Sequence, residues 1–241
     1  MSVRNAKLNL LINCSWDWHT AERACQQAAD SGRMNARTAQ LYANLMNCMG
    51  RHHDAVTLAL HGYRRDSSCD LVSGQVALAY FYAGDYANAK EFIQRTRTLQ
   101  PQYLFGYALN GRVSVELGQW QEAICSFRQG LEMAGNPAFL KALLSYAYLC
   151  AGDEDRAREL LRGLEEESHD ACFPAYDVAA VYARLGQEKD SLHNICRAYA
   201  MRDIKTAYID HDPRFARLRN STGFQQVMAA LGSGRAPLFS V

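Results

Sequence analysis

Glycine returns in this chain with a fixed spacing, and that spacing constrains the fold more than any other feature. Gly50, Gly84, Gly118, Gly152 and Gly186 are each separated by 34 residues. The fifth residue after each glycine is small, and these residues are Ala55, Ala89, Ala123, Ala157 and Ser191. A period of this length, with glycine in a short turn and a small residue beyond it, is typical of an array of helix-turn-helix units.

The period resembles that of the tetratricopeptide repeat, and the resemblance covers nearly the whole chain. With the turn glycine at repeat position 15, the repeats are 36–69, 70–103, 104–137, 138–171 and 172–205, preceded by 2–35. In that first repeat Trp16 replaces the glycine, Trp18 holds the aromatic position and Ala21 holds the small one. The resemblance implies six antiparallel helix pairs in an all-α, right-handed superhelix, or α-solenoid.

Two recurring positions have a packing reason that supports this register. Position 8 is small in every repeat except the first, where Asn9 departs, and its members are Ala43, Ala77, Gly111, Ser145 and Ala179. A small side chain there lets the paired helix approach closely. Position 24 carries mostly larger apolar groups that fill the layer between helices, namely Cys25, Ala59, Ile93, Phe127, Leu161 and Ile195. Both positions are predicted to lie in the core.

The two ends of the chain resemble a narrower group of proteins. SWDWHTAERACQQA at 15–28 and AYIDHDPRFARLRNSTGFQQVMAALG at 207–232 are similar to the opening and closing segments of tetratricopeptide regions in bacterial signalling and transcription regulators. The piece Asp212-Pro213-Arg214-Phe215 carries most of this resemblance, whereas Ser221-Thr222-Gly223 departs from the second Asp-Pro of many relatives. The resemblance implies a role in bacterial signalling or transcriptional control. Whether the array is free-standing or attached to an effector domain stays open.

The expected domain organisation is a single array over residues 1–232. Residues 206–232 are predicted to form a helical cap that covers the apolar edge of the last repeat, because terminal repeats of such arrays need a polar outer face. Residues 233–241 are predicted to be a flexible tail.

Composition excludes several classes of function. The 26 Lys and Arg residues nearly balance the 25 Asp and Glu residues, so a general attraction to nucleic acid or to an anionic membrane is not expected. No apolar run approaches the roughly 20 residues that cross a bilayer. The eight cysteines include no CxxC pair, which excludes a zinc ribbon or redox motif and favours a reducing cytoplasm.

The array is predicted to present a partner-binding groove. In tetratricopeptide superhelices, positions 2, 5, 9 and 12 of the first helices form the concave wall, and in the later repeats these positions are mainly apolar and aromatic. The candidate groove residues are Leu71, Leu78, Phe81, Phe105, Arg112, Phe139, Tyr146, Phe173 and Tyr176. Aromatic anchors of this kind suit an apolar peptide or an amphipathic helix. The alternative is that the position 2 phenylalanines only pack against the preceding repeat.

The second repeat predicts a polar end to this groove. The same wall positions carry Arg37, Gln40, Asn44 and Asn47, which would fix a peptide's direction through hydrogen bonds. Some chaperone-binding relatives use a two-carboxylate clamp of basic and asparagine residues. Leu78 follows Asn44 at position 9 and no matching lysine pattern appears, so that clamp is not expected.

No motif predicts catalysis, a cofactor or a metal. The pair His193 and Cys196, with His169 and Cys172 upstream, is interpreted as ordinary surface and core residues rather than zinc ligands. The predicted function is a non-catalytic protein-interaction module. The alternatives are a regulatory domain that senses a small ligand and signals to an effector, and a scaffold that associates with itself.

Overall fold

A computed structural model describes residues 3–166 and 173–232, and all regular structure in these residues is helical. The α-helices are α1 (Val3–Asn13), α2 (Trp18–Asp30), α3 (Ala36–Cys48), α4 (His52–Arg65), α5 (Asp70–Tyr82), α6 (Tyr86–Leu99), α7 (Leu104–Glu116), α8 (Trp120–Ala134), α9 (Ala138–Ala151), α10 (Glu154–Glu166), α11 (Ala175–Leu185), α12 (Glu188–Ala200) and α13 (Thr222–Gly232). Two 3-10 helices, at Ile204–Tyr208 and Pro213–Phe215, precede α13. The expectation of an all-α array of helix pairs is confirmed.

The turns inside the pairs explain the recurring glycine. Gly84 and Gly152, which follow α5 and α9, have φ of 78° and 84°, a left-handed conformation that costs glycine little. Trp16 occupies the corresponding place between α1 and α2 and has φ of 54°. The backbone therefore supports the alignment of Trp16 with the turn glycines.

Side chains at several helix starts satisfy backbone amides that have no partner within the helix. Asp17 accepts a hydrogen bond from the amide of Thr20, and Asp85 accepts one from the amide of Asn88, both at 3.1 Å. Asn35 caps α3 in the same manner. Such caps fix where the second or first helix of a pair begins.

The chain divides into two compact bodies. Of the described residues, 3–101 and 228–232 form the N-terminal body, and 102–166 and 173–227 form the C-terminal body. In the N-terminal body α1 packs on α3 and α3 on α5, whereas in the C-terminal body α7 packs on α9 and α9 on α11. Each body therefore has a layer made of the first helices of its pairs. We call these layers the N-terminal wall (α1, α3 and α5) and the C-terminal wall (α7, α9 and α11).

The core of the C-terminal body shows why repeat position 8 is small. Phe127 of α8 is buried, and its ring lies 2.3 Å from the place where a Cβ on Gly111 of α7 would stand. Around this contact, Leu140, Leu144 and Ala147 of α9 continue the apolar cluster. The pairing of α7 with α8 thus depends on the missing side chain at Gly111.

The segment after α12 also approaches its neighbours closely. A Cβ on Gly223, at the start of α13, would lie 2.6 Å from Glu188 Oε1 and 2.8 Å from Leu192 Cδ1 of α12. Ser221 Oγ accepts a hydrogen bond from the amide of Phe224 at 3.1 Å. Glycine in the unusual Ser-Thr-Gly sequence therefore has a steric reason. The predicted tail, residues 233–241, lies outside the described residues.

Candidate partner-binding site

In the N-terminal wall, the three apolar groove candidates differ in exposure. Leu71, at the start of α5, is 40% exposed, while Leu78 and Phe81 are buried. The Phe81 ring lies 5.9 Å from the ring of Tyr86 on α6, so this side chain belongs to the packing of the α5–α6 pair. Only Leu71 of the three offers an exposed apolar side chain.

Two of the four polar candidates of the second repeat, Gln40 and Asn44, hydrogen-bond to other carboxamides of the N-terminal wall. Asn44 Nδ2 donates to Asn13 Oδ1 at 3.3 Å, and Asn13 Nδ2 donates to Asn9 Oδ1 at 2.7 Å. Gln40 Nε2 donates to Gln75 Oε1 at 3.4 Å. We call this set the amide patch, and its members are Asn9, Asn13, Gln40, Asn44, Asn47 and Gln75.

The patch has hydrogen-bonding capacity that the protein does not use. Gln40 Oε1 and Gln75 Nε2 are buried and have no protein partner. Exchanging the oxygen and nitrogen of both amides would leave the same result, one acceptor and one donor without a partner. Asn47 is fully buried and contacts His52 Nδ1 at 3.2 Å, whereas Arg37 is half-buried at the start of α3.

In the C-terminal wall, the six candidates fall into two groups by exposure. Phe105, Phe139, Tyr146 and Arg112 are half-buried. Phe173 is only 7% exposed and Tyr176 only 1%. The guanidinium carbon of Arg197 lies 3.9 Å from the centre of the Phe173 ring, so this side chain covers one face of the ring.

The burial of Tyr176 has a cause that the repeat pattern did not predict, since the chain's own C-terminal segment packs against it. The rings of Phe215 and Tyr176 are 5.2 Å apart in an edge-on arrangement, and the Tyr176 hydroxyl donates to Asp212 Oδ2 at 3.1 Å. Arg112 of α7 also reaches Asp212 Oδ2, at 3.2 Å. Two of the predicted groove residues thus hold the Asp212-Pro213-Arg214-Phe215 piece.

Buried ions complete the attachment of this segment. Arg214 pairs with Asp212 at 2.8 Å and with Asp177 of α11 at 2.9 Å. Lys205, from the first 3-10 helix, pairs with Asp177 at 2.6 Å. We call Arg112, Asp177, Lys205, Asp212 and Arg214 the ionic cluster.

The cluster keeps its carboxyl groups ionised. Burial alone raises the pKa of Asp212, but the charges of Arg214 and Arg112 outweigh burial and hold the pKa well below its ordinary value. Burial likewise opposes ionisation of Asp177, and Lys205 and Arg214 lower its pKa. The signal that could have located this cluster was the Asp-Pro-Arg-Phe piece itself, which the sequence assigned only to a cap.

Beside the cluster the wall is nearly closed. A cavity of about 10 Å³, enough for one water molecule, is lined by Arg112, Val115, Glu116, Phe127, Leu143, Tyr146 and Arg214. Burial raises the pKa of the Tyr146 hydroxyl, and burial together with Asp212 raises the pKa of Glu116. This part of the wall therefore leaves little room for a partner.

A larger opening lies at the other end of the wall. A depression of about 270 Å³ is lined by Phe139, Phe173, Pro174, Ala175, Ala198, Met201, Asp203 and Lys205. We call it the Phe139 depression. It brings together two of the predicted groove phenylalanines, one from α9 and one just before α11. Sequence reasoning did not identify Met201, which is 41% exposed and follows α12.

The described residues offer neither a metal site nor a membrane-spanning helix. No group of three or more His, Cys, Asp or Glu side chains among them is arranged to hold a metal ion. His193 and Cys196 are exposed on α12, and His169 and Cys172 lie outside the described residues. None of the described helices combines the length and the apolar character needed to span a bilayer.

One family of known proteins matches most of the chain. The model of a family described as tetratricopeptide repeat matches residues 9–208. A search of curated proteins found no match.

Solved structures share the fold at low identity. A tetratricopeptide-repeat protein from Parabacteroides merdae superposes with a TM-score of 0.59 at 13% identity, and the match covers 95% of this chain and 99% of that protein's chain. A thermophilic protein of the same kind from Thermus thermophilus gives 0.58 at 14% identity, covering 83% and 98%. A MamA protein gives 0.54 at 18% identity, covering 72% and 97%.

Proposed function

Because the chain belongs to the tetratricopeptide-repeat family, which serves protein–protein interaction, we propose that it binds an apolar peptide or amphipathic helix at the Phe139 depression. The observation that carries the proposal is the meeting of Phe139 and Phe173 in one open depression of about 270 Å³. Large aromatic side chains that line a pocket are the usual anchors of protein interfaces. The half-buried Phe105, the corresponding residue of the preceding repeat, extends the same row of position 2 side chains.

The rest of the C-terminal wall supports this choice of location. Tyr176 and Arg112 already hold the chain's own Phe215 and Asp212, and these contacts are buried. A partner that entered there would have to separate buried ions, which costs several kcal/mol per uncompensated charge, about 3–5. Binding at Phe139 needs no such separation.

The amide patch supports a polar contribution from the N-terminal wall. Gln40 Oε1 and Gln75 Nε2 are one acceptor and one donor without a protein partner, and they would meet the N–H and C=O groups of an extended peptide if these two buried amides turned outward. Arg37, half-buried in the same wall, would attract a carboxylate. We therefore propose that the patch with Arg37 binds backbone groups of a partner, while Leu71 contributes apolar contact.

The proposed setting is regulation in a bacterial cytoplasm, without catalysis. The similarity of 15–28 and 207–232 to segments of bacterial signalling and transcription regulators supports it. Cys25, Cys69, Cys125, Cys150 and Cys196 have free thiols, which is the usual state in a reducing compartment.

Substitution of Phe139 tests the proposal more cleanly than substitution of Phe173. Phe139 is half-buried, so Phe139→Arg adds charge to the depression at small cost to folding, whereas Phe173 is packed under Arg197. Leu117→Arg is the matched control, because Leu117 is 43% exposed and lies just after the last residue of α7, at the opposite end of the wall. Circular dichroism must show equal helix content in all three proteins.

The three proteins are used to capture partners from a bacterial lysate, and a peptide of the captured partner is then titrated against each. We expect Phe139→Arg to bind that peptide about tenfold or more weakly than the natural chain, and Leu117→Arg to bind it with unchanged affinity. Equal binding to all three proteins contradicts the site. If the molecular mass in solution rises with protein concentration for the natural chain but not for Phe139→Arg, the depression is instead a self-association site. A retained small molecule would favour the ligand-sensing alternative.

A further inference from the structure

A second opening in the C-terminal body lies away from the Phe139 depression and is lined by other residues. It is an open pocket of about 470 Å³ between α8, α9 and α10, lined by Arg128, Lys141, Leu144, Tyr148, Arg156, Glu159, Leu160 and Gly163. We call it the Tyr148 pocket. Its volume is within the range of small-molecule sites, roughly 300–1,000 Å³.

The pocket combines an apolar floor with a positive rim. Leu144 and Tyr148 of α9 are buried beneath it, and Leu160 of α10 is partly buried against the same core. Each of the three helices contributes one cation, namely Arg128 from α8, Lys141 from α9 and Arg156 from α10. Among the described residues that line the pocket, Glu159 is the one carboxylate against three cations.

The Tyr148 side chain orients both guanidinium groups. Arg128 Nη2 donates to the Tyr148 hydroxyl at 2.6 Å, and its guanidinium carbon lies 5.9 Å from the centre of the ring. The guanidinium carbon of Arg156 lies 5.6 Å from the same centre. Each guanidinium carries five N–H donors in a rigid fork, so these contacts leave further donors for a ligand. Orienting the groups in advance reduces the entropy lost on binding.

Gly163 provides an independent indication that the pocket serves a ligand. It lies inside α10, where glycine costs about 1 kcal/mol relative to alanine. A Cβ built on Gly163 meets no atom within 4 Å, whereas one on Gly130 of α8 would lie 2.8 Å from Leu140 Cδ1. Packing explains Gly130 and does not explain Gly163. Because Gly163 lines the pocket, a long side chain at this position would occupy part of it.

We propose that the Tyr148 pocket binds the phosphate group of a small organic phosphate whose apolar body rests on Leu144, Leu160 and the edge of Tyr148. Forked guanidinium donors match the geometry of phosphate oxygens, and the third cation adds charge complementarity to a dianion. Glu159, one turn from Arg156 on α10, disfavours a second anionic group on the same ligand.

Phenyl phosphate is the probe that joins both features, with inorganic phosphate and phenol as its two halves. Nitrogen–proton NMR spectra of the whole chain follow the Gly163 amide and the arginine side-chain signals during each titration. We expect these signals to shift together, and phenyl phosphate to bind about tenfold or more tightly than inorganic phosphate, since the phenyl ring adds buried apolar area.

Two variants of one residue separate binding from folding. Gly163→Leu fills the pocket wall without removing any protein contact and is expected to abolish binding, while Gly163→Ala keeps the pocket open and is expected to bind. Arg156 is exposed and forms a salt bridge with Asp153, and Arg156→Gln is expected to weaken the binding of phenyl phosphate about tenfold. Binding that persists in Gly163→Leu, or that is equal for phenyl phosphate and inorganic phosphate, would overturn the proposal.

Discussion

The two walls differ in the chemistry that holds their polar side chains. In the N-terminal wall, Asn44 and Asn13 share a hydrogen bond of 3.3 Å, and Gln40 and Gln75 share one of 3.4 Å, all between uncharged groups. In the C-terminal wall, buried charges meet at 2.6 to 3.2 Å and attach the chain's own C-terminal segment. A neutral amide that loses its partner forfeits about 1 kcal/mol, whereas a buried ion that loses its partner forfeits several. The N-terminal wall is therefore expected to tolerate change better than the C-terminal wall.

The largest effect on stability is expected from removal of the central cation of the ionic cluster. Arg214→Met keeps the length of the side chain but leaves Asp212 and Asp177 without their shared partner. We expect the free energy of unfolding to fall by about 3–5 kcal/mol. Chemical denaturation measures the loss, and hydrogen exchange should place it in peptides of residues 102–227.

Arg217→Met is the matched control, because Arg217 is exposed three residues further along. It should change stability by no more than about 0.5 kcal/mol. If Arg214→Met and Arg217→Met behave alike, the cluster does not stabilise the C-terminal wall and the contrast between the walls fails.

Acid should affect the two bodies unequally. The pKa values of Asp212 and Asp177 are lower in the folded protein than the ordinary value of about 3.9 in the unfolded chain. Their contribution is therefore present above about pH 4 and is lost as the pH falls through the folded values. Glu116, whose pKa is raised, acts in the opposite sense and only above that range. The amides of the N-terminal wall do not titrate.

Hydrogen exchange at a series of pH values below 5 measures this difference. Peptides from the C-terminal body should lose protection first, and Asp212→Asn should make the stability of the chain less dependent on pH in this range. If both bodies lose protection at the same pH, the expectation that acid affects them unequally is wrong.

The sequence predicted what depends on contacts close in the chain. Glycine turns and small residues at position 8 recur because each helix pair solves the same packing problem, and Trp16 could be aligned with the glycines from the period alone. The attachment of Asp212 to Arg112 could not be predicted in this way. These residues are 100 positions apart, and their contact depends on the path of a non-repeating segment.

The exposure of the candidate site residues also depends on contacts that are distant in the chain. The period groups Phe139 with Phe173, and both line one depression, but their exposure depends on Arg197 and on residues after α12 such as Met201. Asn44 and Asn47 occupy wall positions, yet both are buried because their amides find partners in Asn13 and His52. A polar residue at a wall position therefore predicts a hydrogen bond more surely than it predicts an exposed surface.

Two glycines of the C-terminal body, Gly111 and Gly163, differ in the space that surrounds them. Repeat position 8 is Ala43 and Ala77 in the N-terminal body, and Gly111, Ser145 and Ala179 in the C-terminal body, so glycine stands at this position only in the repeat 104–137. Gly111→Ala would place a Cβ 2.3 Å from the Phe127 ring, so we expect a loss of about 1–3 kcal/mol despite the higher helix propensity of alanine. Gly163→Ala, where the Cβ meets no atom, should gain up to about 1 kcal/mol. Equal effects in thermal unfolding would mean that α8 shifts to accept the methyl group.

The smallest expected effect concerns the amide patch. Asn44→Ala removes the donor to Asn13, and since Asn13 is half-buried and can turn toward solvent, the loss should be about 0.5–1.5 kcal/mol. The loss should be the same at pH 7 and pH 4, because neither amide ionises, and hydrogen exchange should place it in residues 3–101. Denaturation of the double variant with Asn13→Ala gives the coupling between the two amides. A loss as large as that of Arg214→Met would show that uncharged amides hold their wall as firmly as buried ions do, and the proposed reason for the difference between the walls would be wrong.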